Sequence, residues 1–218
     1  MWLDSKRKYK LIRYEPNDLV VAWVVDVKAY GEDSDQIAEP GVFTVGRLLA
    51  DELRRFEIAE CGEQVWQVAD ADSSGLEAAW TSLLDQEGNF RDDDFEAVAD
   101  PVVYLYRFKL HPDFVNWRLA MMDVFCRIFD SDALISAQHH TTWLSDTEFD
   151  LLGFRPLPRT DYPAPQGYSN IDRKTCFIVR ENACRVEYSI ADYPGEAPSG
   201  RRDHAQWIES KGRWTDLV

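Results

Sequence analysis

The 218-residue sequence is poor in the residues that build metal centres and disulfide scaffolds. Its 4 cysteines are scattered without a C-x-x-C pair, and its 4 histidines show no metal-ligand spacing. A zinc cluster or a disulfide-stapled domain is therefore not expected. Motifs of P-loop proteins, dinucleotide-binding folds, serine hydrolases and zinc proteases are also absent from the sequence.

Long hydrophobic runs are missing as well. No stretch approaches the ~20 apolar residues that a membrane-spanning helix needs. The first residues, MWLDSKRKYKLIRYEP, carry basic side chains with no apolar block behind them, unlike a secretory signal. We therefore expect a cytoplasmic protein without a membrane anchor. The net charge of −15 repels phosphates, so a nucleic-acid partner is not expected.

What the sequence does contain is an ordinary globular composition, with 45% hydrophobic and 29% charged residues. Apolar runs and alternating patterns predict strands at 18–30, 63–70, 102–110 and 133–140. Helical spacing of apolar residues predicts helices at 40–58, 76–88, 113–129 and 145–154. Two further strands, separated by Glu-Asn-Ala, are predicted within 175–190.

The order of these elements predicts the fold class. Strands that alternate with helices pair in parallel through right-handed crossovers, whereas the last two strands form an antiparallel hairpin. We predict one α/β domain over 1–193, with a mixed central sheet, helices on both faces and the C-terminal hairpin. The polar segment 194–218 is predicted to pack on the surface of that domain.

The stretch HPDFVNWRLA (111–120) follows the strand VVYLYRFKL (102–110) and opens the helix of 113–129. The strand ends in Leu110-His111-Pro112, and about 40 residues later a short helix ends in Gly153-Phe154. This arrangement over roughly 100–160 resembles the GNAT superfamily of N-acetyltransferases. In that family a strand runs into a hydrophobic-x-Pro signature, a glycine-containing loop and a long helix.

The resemblance implies a single GNAT-like domain and an N-acyltransferase activity, with acetyl-CoA or another acyl-CoA as the donor. Backbone amides at the helix N-terminus would hold the pyrophosphate, and strand 102–110 would align the thioester through its backbone. The acceptor implied is a small-molecule or protein amine; a homodimer stays open. The residues assigned to the acyl-CoA are Leu110, Val115, Asn116, Trp117, Arg118, Leu119 and Ala120.

Two departures from the family pattern fall at the places where the chemistry would occur. Arg118 replaces a glycine of the loop, and its guanidinium either binds the pyrophosphate or fills the site. Val115 replaces the leading Arg or Gln. Phe149 stands where a tyrosine of the family often protonates the leaving thiolate, and a phenyl ring has no proton to give.

Several side chains near this region could deprotonate or hold an amine. His139 and His140 follow strand 133–138, where the sheet splays in this fold, and their pKa range suits a general base. Glu148 either holds an ammonium group or caps the helix that begins near Ser145. Tyr104 and Tyr106 alternate on strand 102–110 and line either the core or a cleft.

Three functions stay open at the level of the sequence. The first is an acyl-CoA-dependent N-acyltransferase. The second is a catalytically inactive binding or regulatory protein of the same fold, which the substitutions at Arg118 and Phe149 favour. The third is an acidic mimic that presents the net charge to a basic partner.

Overall fold

The computed structural model describes ten stretches of the chain. They are residues 2–8, 19–30, 42–85, 87–91, 94–95, 99–110, 112–129, 132–138, 144–157 and 177–181. The strands are β1 Trp2–Lys8, β2 Val21–Tyr30, β3 Val42–Leu53, β4 Val102–Leu110, β5 Leu134–Gln138, β6 Arg155–Pro156 and β7 Phe177–Glu181. The helices are α1 Arg55–Glu60, α2 Val65–Asp72, α3 Ser74–Thr81, a 3₁₀ helix Pro112–Trp117, α4 Arg118–Cys126 and α5 Asp146–Leu151.

The described strands form one seven-stranded sheet in the order β1-β2-β3-β4-β5-β7-β6. β4 and β5 pair in parallel, and the other neighbouring strands described here pair antiparallel. The parallel pair is joined by the crossover through the 3₁₀ helix and α4, as such pairs require. The predicted α/β class with a mixed sheet is confirmed.

Helices cover both faces of the sheet, as predicted. On one face α4 and α5 pack on the β2 side chains, and the core includes Trp23, Phe125 and Phe149. On the other face α1, α2 and α3 bury Leu76 and Trp80 against β4. Within the described part of the chain, no helix is long and apolar enough to cross a membrane.

Two predicted elements are wrong. The segment predicted as a helix at 40–58 is strand β3 followed by α1, and the strand predicted at 63–70 is helix α2. The apolar residues of β3 lie on both faces of the sheet, because β3 is central, between β2 and β4. A strand buried on both faces loses the period of two that identifies strands in sequence.

The positions of β4, β5 and α5 agree with the predicted elements. The helix predicted at 113–129 begins as a 3₁₀ helix. The helix predicted at 76–88 ends at Thr81. At α5, Ser145 and Glu148 form a capping box, and Gly153 follows the helix with a φ of 75°. β7 lies in the segment predicted as the C-terminal hairpin; the residues predicted as its second strand and the tail 194–218 lie outside the described residues.

Candidate functional site

A cleft of about 450 Å³ opens on the face of β3 and β4 that α1, α2 and α3 cover. Strands supply its floor, and the junction between α2 and α3 supplies its rim. The side chains and backbone that line it are those of Asp51, Asp72, Ser73, Gly75, Tyr104 and Tyr106.

The sheet register brings the floor residues together. Asp51 of β3 lies opposite Tyr104 of β4 in the antiparallel ladder, so their side chains project from the same face. Tyr106 lies two residues along β4 on that face. The register also shifts here, because Leu49 pairs with Arg107 and Ala50 with Leu105, which leaves Tyr106 as the bulged residue.

The rim is fixed by a helix cap and a small residue. The Ser73 hydroxyl accepts a hydrogen bond from the Leu76 amide at 3.2 Å and caps α3. A Cβ atom at Gly75 would lie 3.2 Å from the Tyr104 hydroxyl oxygen. Glycine at this position therefore lets the helix approach the tyrosine closely.

Asp51 is the electrostatically unusual group of the cleft. The residue is 7% exposed, and its side chain accepts no hydrogen bond from any residue that the structure describes. Burial, and then the negative charge of Asp72, raises the pKa of Asp51 from 3.8 to about 7. A carboxyl group of this kind exchanges a proton near neutral pH, as a general base must.

The two tyrosines keep their protons at neutral pH. Burial, followed by the charge of Asp51, raises the pKa of Tyr104 to about 12 and raises that of Tyr106 as well. Each phenol can therefore donate a hydrogen bond or present its ring to a ligand. Tyr104 is 4% exposed and belongs to the core as well as to the cleft. The two alternatives for this residue, lining the core and lining a cleft, are therefore both correct.

Among the described residues, the β4–β5 ladder ends next to the cleft. Their paired residues end at Leu105 and Ala137, whereas β4 continues to Leu110. Gln138, the next residue of β5, pairs with Phe177 of β7. Tyr106 is thus the first residue of β4 beyond the ladder, and it also lines the cleft.

The predicted phosphate loop has a different geometry from the one expected. Pro112–Trp117 forms a 3₁₀ helix that runs directly into α4. In such a helix the amide of a residue bonds to the carbonyl three residues earlier, so the amides of Val115, Asn116 and Trp117 are used within the turn. Of the assigned residues, Val115 and Asn116 are exposed, Leu110, Trp117, Arg118 and Leu119 are half-buried, and Ala120 is buried.

Arg118 is held by two neighbours. Its Nη1 donates to the Val115 carbonyl at 3.0 Å, and its Nη2 lies 2.8 Å from Oε1 of Glu148. Glu148 also accepts hydrogen bonds from the Ser145 amide and hydroxyl in the capping box. Partial burial opposes ionisation of Glu148, but these hydrogen bonds and the charge of Arg118 outweigh it and lower its pKa. The geometry of Glu148 is thus that of a helix cap and an ion-pair partner.

The remaining predicted residues are not brought into the cleft. His139 and His140 lie outside the described residues. Phe149 is 3% exposed and packs in the core against Phe154, with ring centroids 5.7 Å apart. Among the described residues, no group of three His, Cys, Asp or Glu side chains could hold a metal ion.

Sequence reasoning missed the acidic residues of the cleft. Asp51 lies in the apolar run LLADEL (48–53), and a carboxylate inside such a run is a signal of burial. That signal was hidden because the segment was predicted as an amphipathic helix, in which polar positions face solvent. Comparisons with protein-family models, curated proteins and solved structures find no match for the chain.

Proposed function

We propose that this chain is an acyl-CoA-dependent N-acyltransferase with a single GNAT-like domain, and that its acceptor amine binds in the cleft. The observation that carries the proposal is the position of Asp51. This buried carboxyl group, whose pKa is about 7, lies on the strand beside the point where the described β4–β5 ladder ends.

The chemistry needs a base at this point. An aliphatic amine is protonated at neutral pH and must lose a proton before its nitrogen attacks the thioester carbonyl. The new C–N bond then replaces the C–S bond, the nitrogen loses its second proton to water, and CoA leaves as the thiolate. We assign Asp51 as the acceptor of the ammonium proton, directly or through water. Phe149 cannot protonate the thiolate, so water is the proton source for the leaving group.

The strand geometry supports a place for the acyl group. Beyond Leu105 the edge of β4 pairs with no described residue of β5, and Tyr106 joins this edge to the cleft. An acyl thioester aligned along residues 106–110 would therefore present its carbonyl to an amine held beside Asp51. Donor and acceptor would meet at Tyr106.

The pyrophosphate of the donor does not find the open amides that the family resemblance implies. The amides of Val115–Trp117 are hydrogen-bonded within the 3₁₀ helix. The Arg118 guanidinium is therefore the group at this site that could bind a diphosphate. Arg118 would exchange Glu148 for the pyrophosphate when acyl-CoA binds.

Two measurements test the proposal. Titration calorimetry with acetyl-CoA tests donor binding, and release of the CoA thiol in the presence of primary amines tests transfer. We expect Asp51→Asn to bind acetyl-CoA normally and to lose about 10²- to 10⁴-fold in rate. The matched control is Asp70→Asn, which removes the same charge at an exposed position of α2. Absence of heat with acetyl-CoA at millimolar concentration would refute the proposal.

A catalytically inactive binding protein is the second candidate. The observation that favours it is the loop geometry, in which the 3₁₀ helix uses the amides of Val115–Trp117 and Arg118 is paired with Glu148. The same assays separate the two candidates. An inactive protein would not bind acetyl-CoA and would not transfer an acyl group. If the Arg118 side chain only obstructs the site, Arg118→Gly would restore acetyl-CoA binding.

A further inference from the structure

We infer that the cleft selects an aliphatic amine that carries a second positive charge, such as a diamine. As a statement about the acceptor, this inference rests on the proposed acyl transfer. As a statement about what the cleft binds, it stands on the geometry and charges of the cleft alone.

The charges lining the cleft have one sign. Asp51 comes from β3 and Asp72 from the end of α2, and no lysine or arginine is among the lining residues that the structure describes. The two carboxyl groups interact, since the charge of Asp72 acts on Asp51. Two separate acidic groups therefore favour a ligand with two cationic groups over a ligand with a single cationic group.

A second observation, the burial of Asp51 without a hydrogen-bond partner, also points to a ligand. As a whole residue, Asp51 is more than nine-tenths buried; it lines the cleft and has no hydrogen-bond partner among the described residues. Buried carboxyl groups are normally paired or hydrogen-bonded, because an unpaired buried charge costs several kcal/mol. A cationic ligand would supply the partner that the described part of the chain does not.

The walls suit the uncharged part of such a ligand. The rings of Tyr104 and Tyr106 lie 6.1 Å apart between centroids and provide apolar surface for a methylene chain. Their faces also attract ammonium groups. The cleft volume of about 450 Å³ is in the range of small-molecule sites.

Binding of the cation depends on the ionisation of Asp51. Among the described residues, the titratable groups that face Asp51 are Asp72 from α2 and the phenols of Tyr104 and Tyr106 from β4. Both phenols keep their protons below pH 9, so the carboxyl groups set the charge of the cleft. Affinity for a cation should therefore rise as the pH increases through about 7.

The test is calorimetric binding without any acyl-CoA, at physiological ionic strength. The probes are 1,4-diaminobutane, n-butylamine and 1,4-butanediol, which share a four-carbon chain and carry two, one and no positive charges. We expect the diamine to bind at least about tenfold more tightly than the monoamine, and the diol to give no heat. Asp51→Asn and Asp72→Asn should each remove that preference, and Asp70→Asn should keep it.

Thermal melting of each variant verifies that it is folded before titration. Equal binding of all three probes, or an equal loss of the preference in Asp70→Asn, would overturn the inference, since either result means a nonspecific response to the net charge. We expect the wild-type protein to lose its preference for the diamine at about pH 5, where Asp51 is protonated. Asp51→Asn should show no such preference at either pH.

The two proposals fail in different ways. Diamine selectivity without acetyl-CoA binding would remove the acyltransferase and keep the ligand class of the cleft. Transfer of acetyl groups to mono- and diamines at equal efficiency would keep the acyltransferase and overturn the inferred ligand class.

Discussion

Replacing Asp51 by asparagine removes a charge from the cleft and leaves the side-chain shape almost unchanged. In the folded protein this carboxyl group is 7% exposed and accepts no hydrogen bond from a described residue. Its ionised form is therefore disfavoured, and its pKa rises from 3.8 to about 7. We expect Asp51→Asn to be more stable than wild type at alkaline pH, in exchange for lost activity.

The magnitude follows from proton linkage. Below pH 3.8 the carboxyl group is protonated in both states and contributes no pH dependence. As the pH rises toward 7, the unfolded chain loses this proton while the folded protein keeps it, so the free energy of unfolding falls by about 1.4 kcal/mol per pH unit. Between pH 5 and pH 7 this amounts to about 3 kcal/mol. Water that enters the cleft makes this value an upper bound.

Urea unfolding at about pH 5 and about pH 8.5 measures the difference. The stability of Asp51→Asn relative to wild type should increase by up to about 3 kcal/mol between these conditions. Asp70→Asn, at an exposed position of α2, should show little change relative to wild type at either pH. If the difference for Asp51→Asn is independent of pH, Asp51 ionises normally in the folded protein, and its assignment as the base loses its physical support.

Two further predictions concern ion pairs and hydrogen bonds outside the cleft. Trp23→Phe removes an indole N–H that donates to the buried Glu52 carboxylate at 2.5 Å, and should cost about 2–3 kcal/mol in urea unfolding; the exposed Trp66→Phe should cost far less, and equal losses would contradict this reasoning. Arg118→Gln removes the ion pair with Glu148 and should cost about 1 kcal/mol or less. Because the pKa of Glu148 is lowered in the folded protein, this loss should be present above the usual pKa of 4.5 and disappear as the pH falls through the folded value; a loss that persists in acid would assign it to packing.

The elements that the sequence predicts well are those with strong local signals. β4 is a run of β-branched and aromatic residues, VVYLYRFKL, and such runs favour a strand in most contexts. The start of α5 is indicated by the capping residues Ser145 and Glu148, three residues apart, and its end by Gly153. In both cases the determining residues are neighbours in the chain, so the pattern survives without knowledge of the fold.

β3 and the cleft could not be predicted in the same way. Leu48 and Leu53 satisfy a helical spacing in the sequence, yet each is fully buried in the strand, Leu48 on the α4 face and Leu53 on the opposite face. Pairing with β2 and β4, which is nonlocal, decides the structure over leucine's preference for helices. The burial of Asp51 depends on the same pairing and on the helices that cross β3, so its pKa has no local signature.

The contrast between Asp51 and Glu52 carries the functional argument furthest. They are adjacent on β3, and strand alternation sends their side chains to opposite faces of the sheet. Glu52 is 2% exposed and is held by the Trp23 indole at 2.5 Å and the Arg54 guanidinium at 2.6 Å.

Asp51 is buried nearly as well, but its charged neighbour in the cleft is Asp72, of the same sign. The fold thus meets the electrostatic demand of one carboxylate within the described structure and leaves the other to whatever enters the cleft. An ammonium group both supplies the missing charge and carries the proton that must leave before nitrogen can attack a carbonyl. Binding the cation lowers the pKa of Asp51, so tight binding makes Asp51 a weaker base. A carboxyl group whose pKa starts near 7 remains a stronger base after this decrease than one that starts at the usual value. The proposed recognition and the proposed proton transfer therefore place compatible demands on the same side chain.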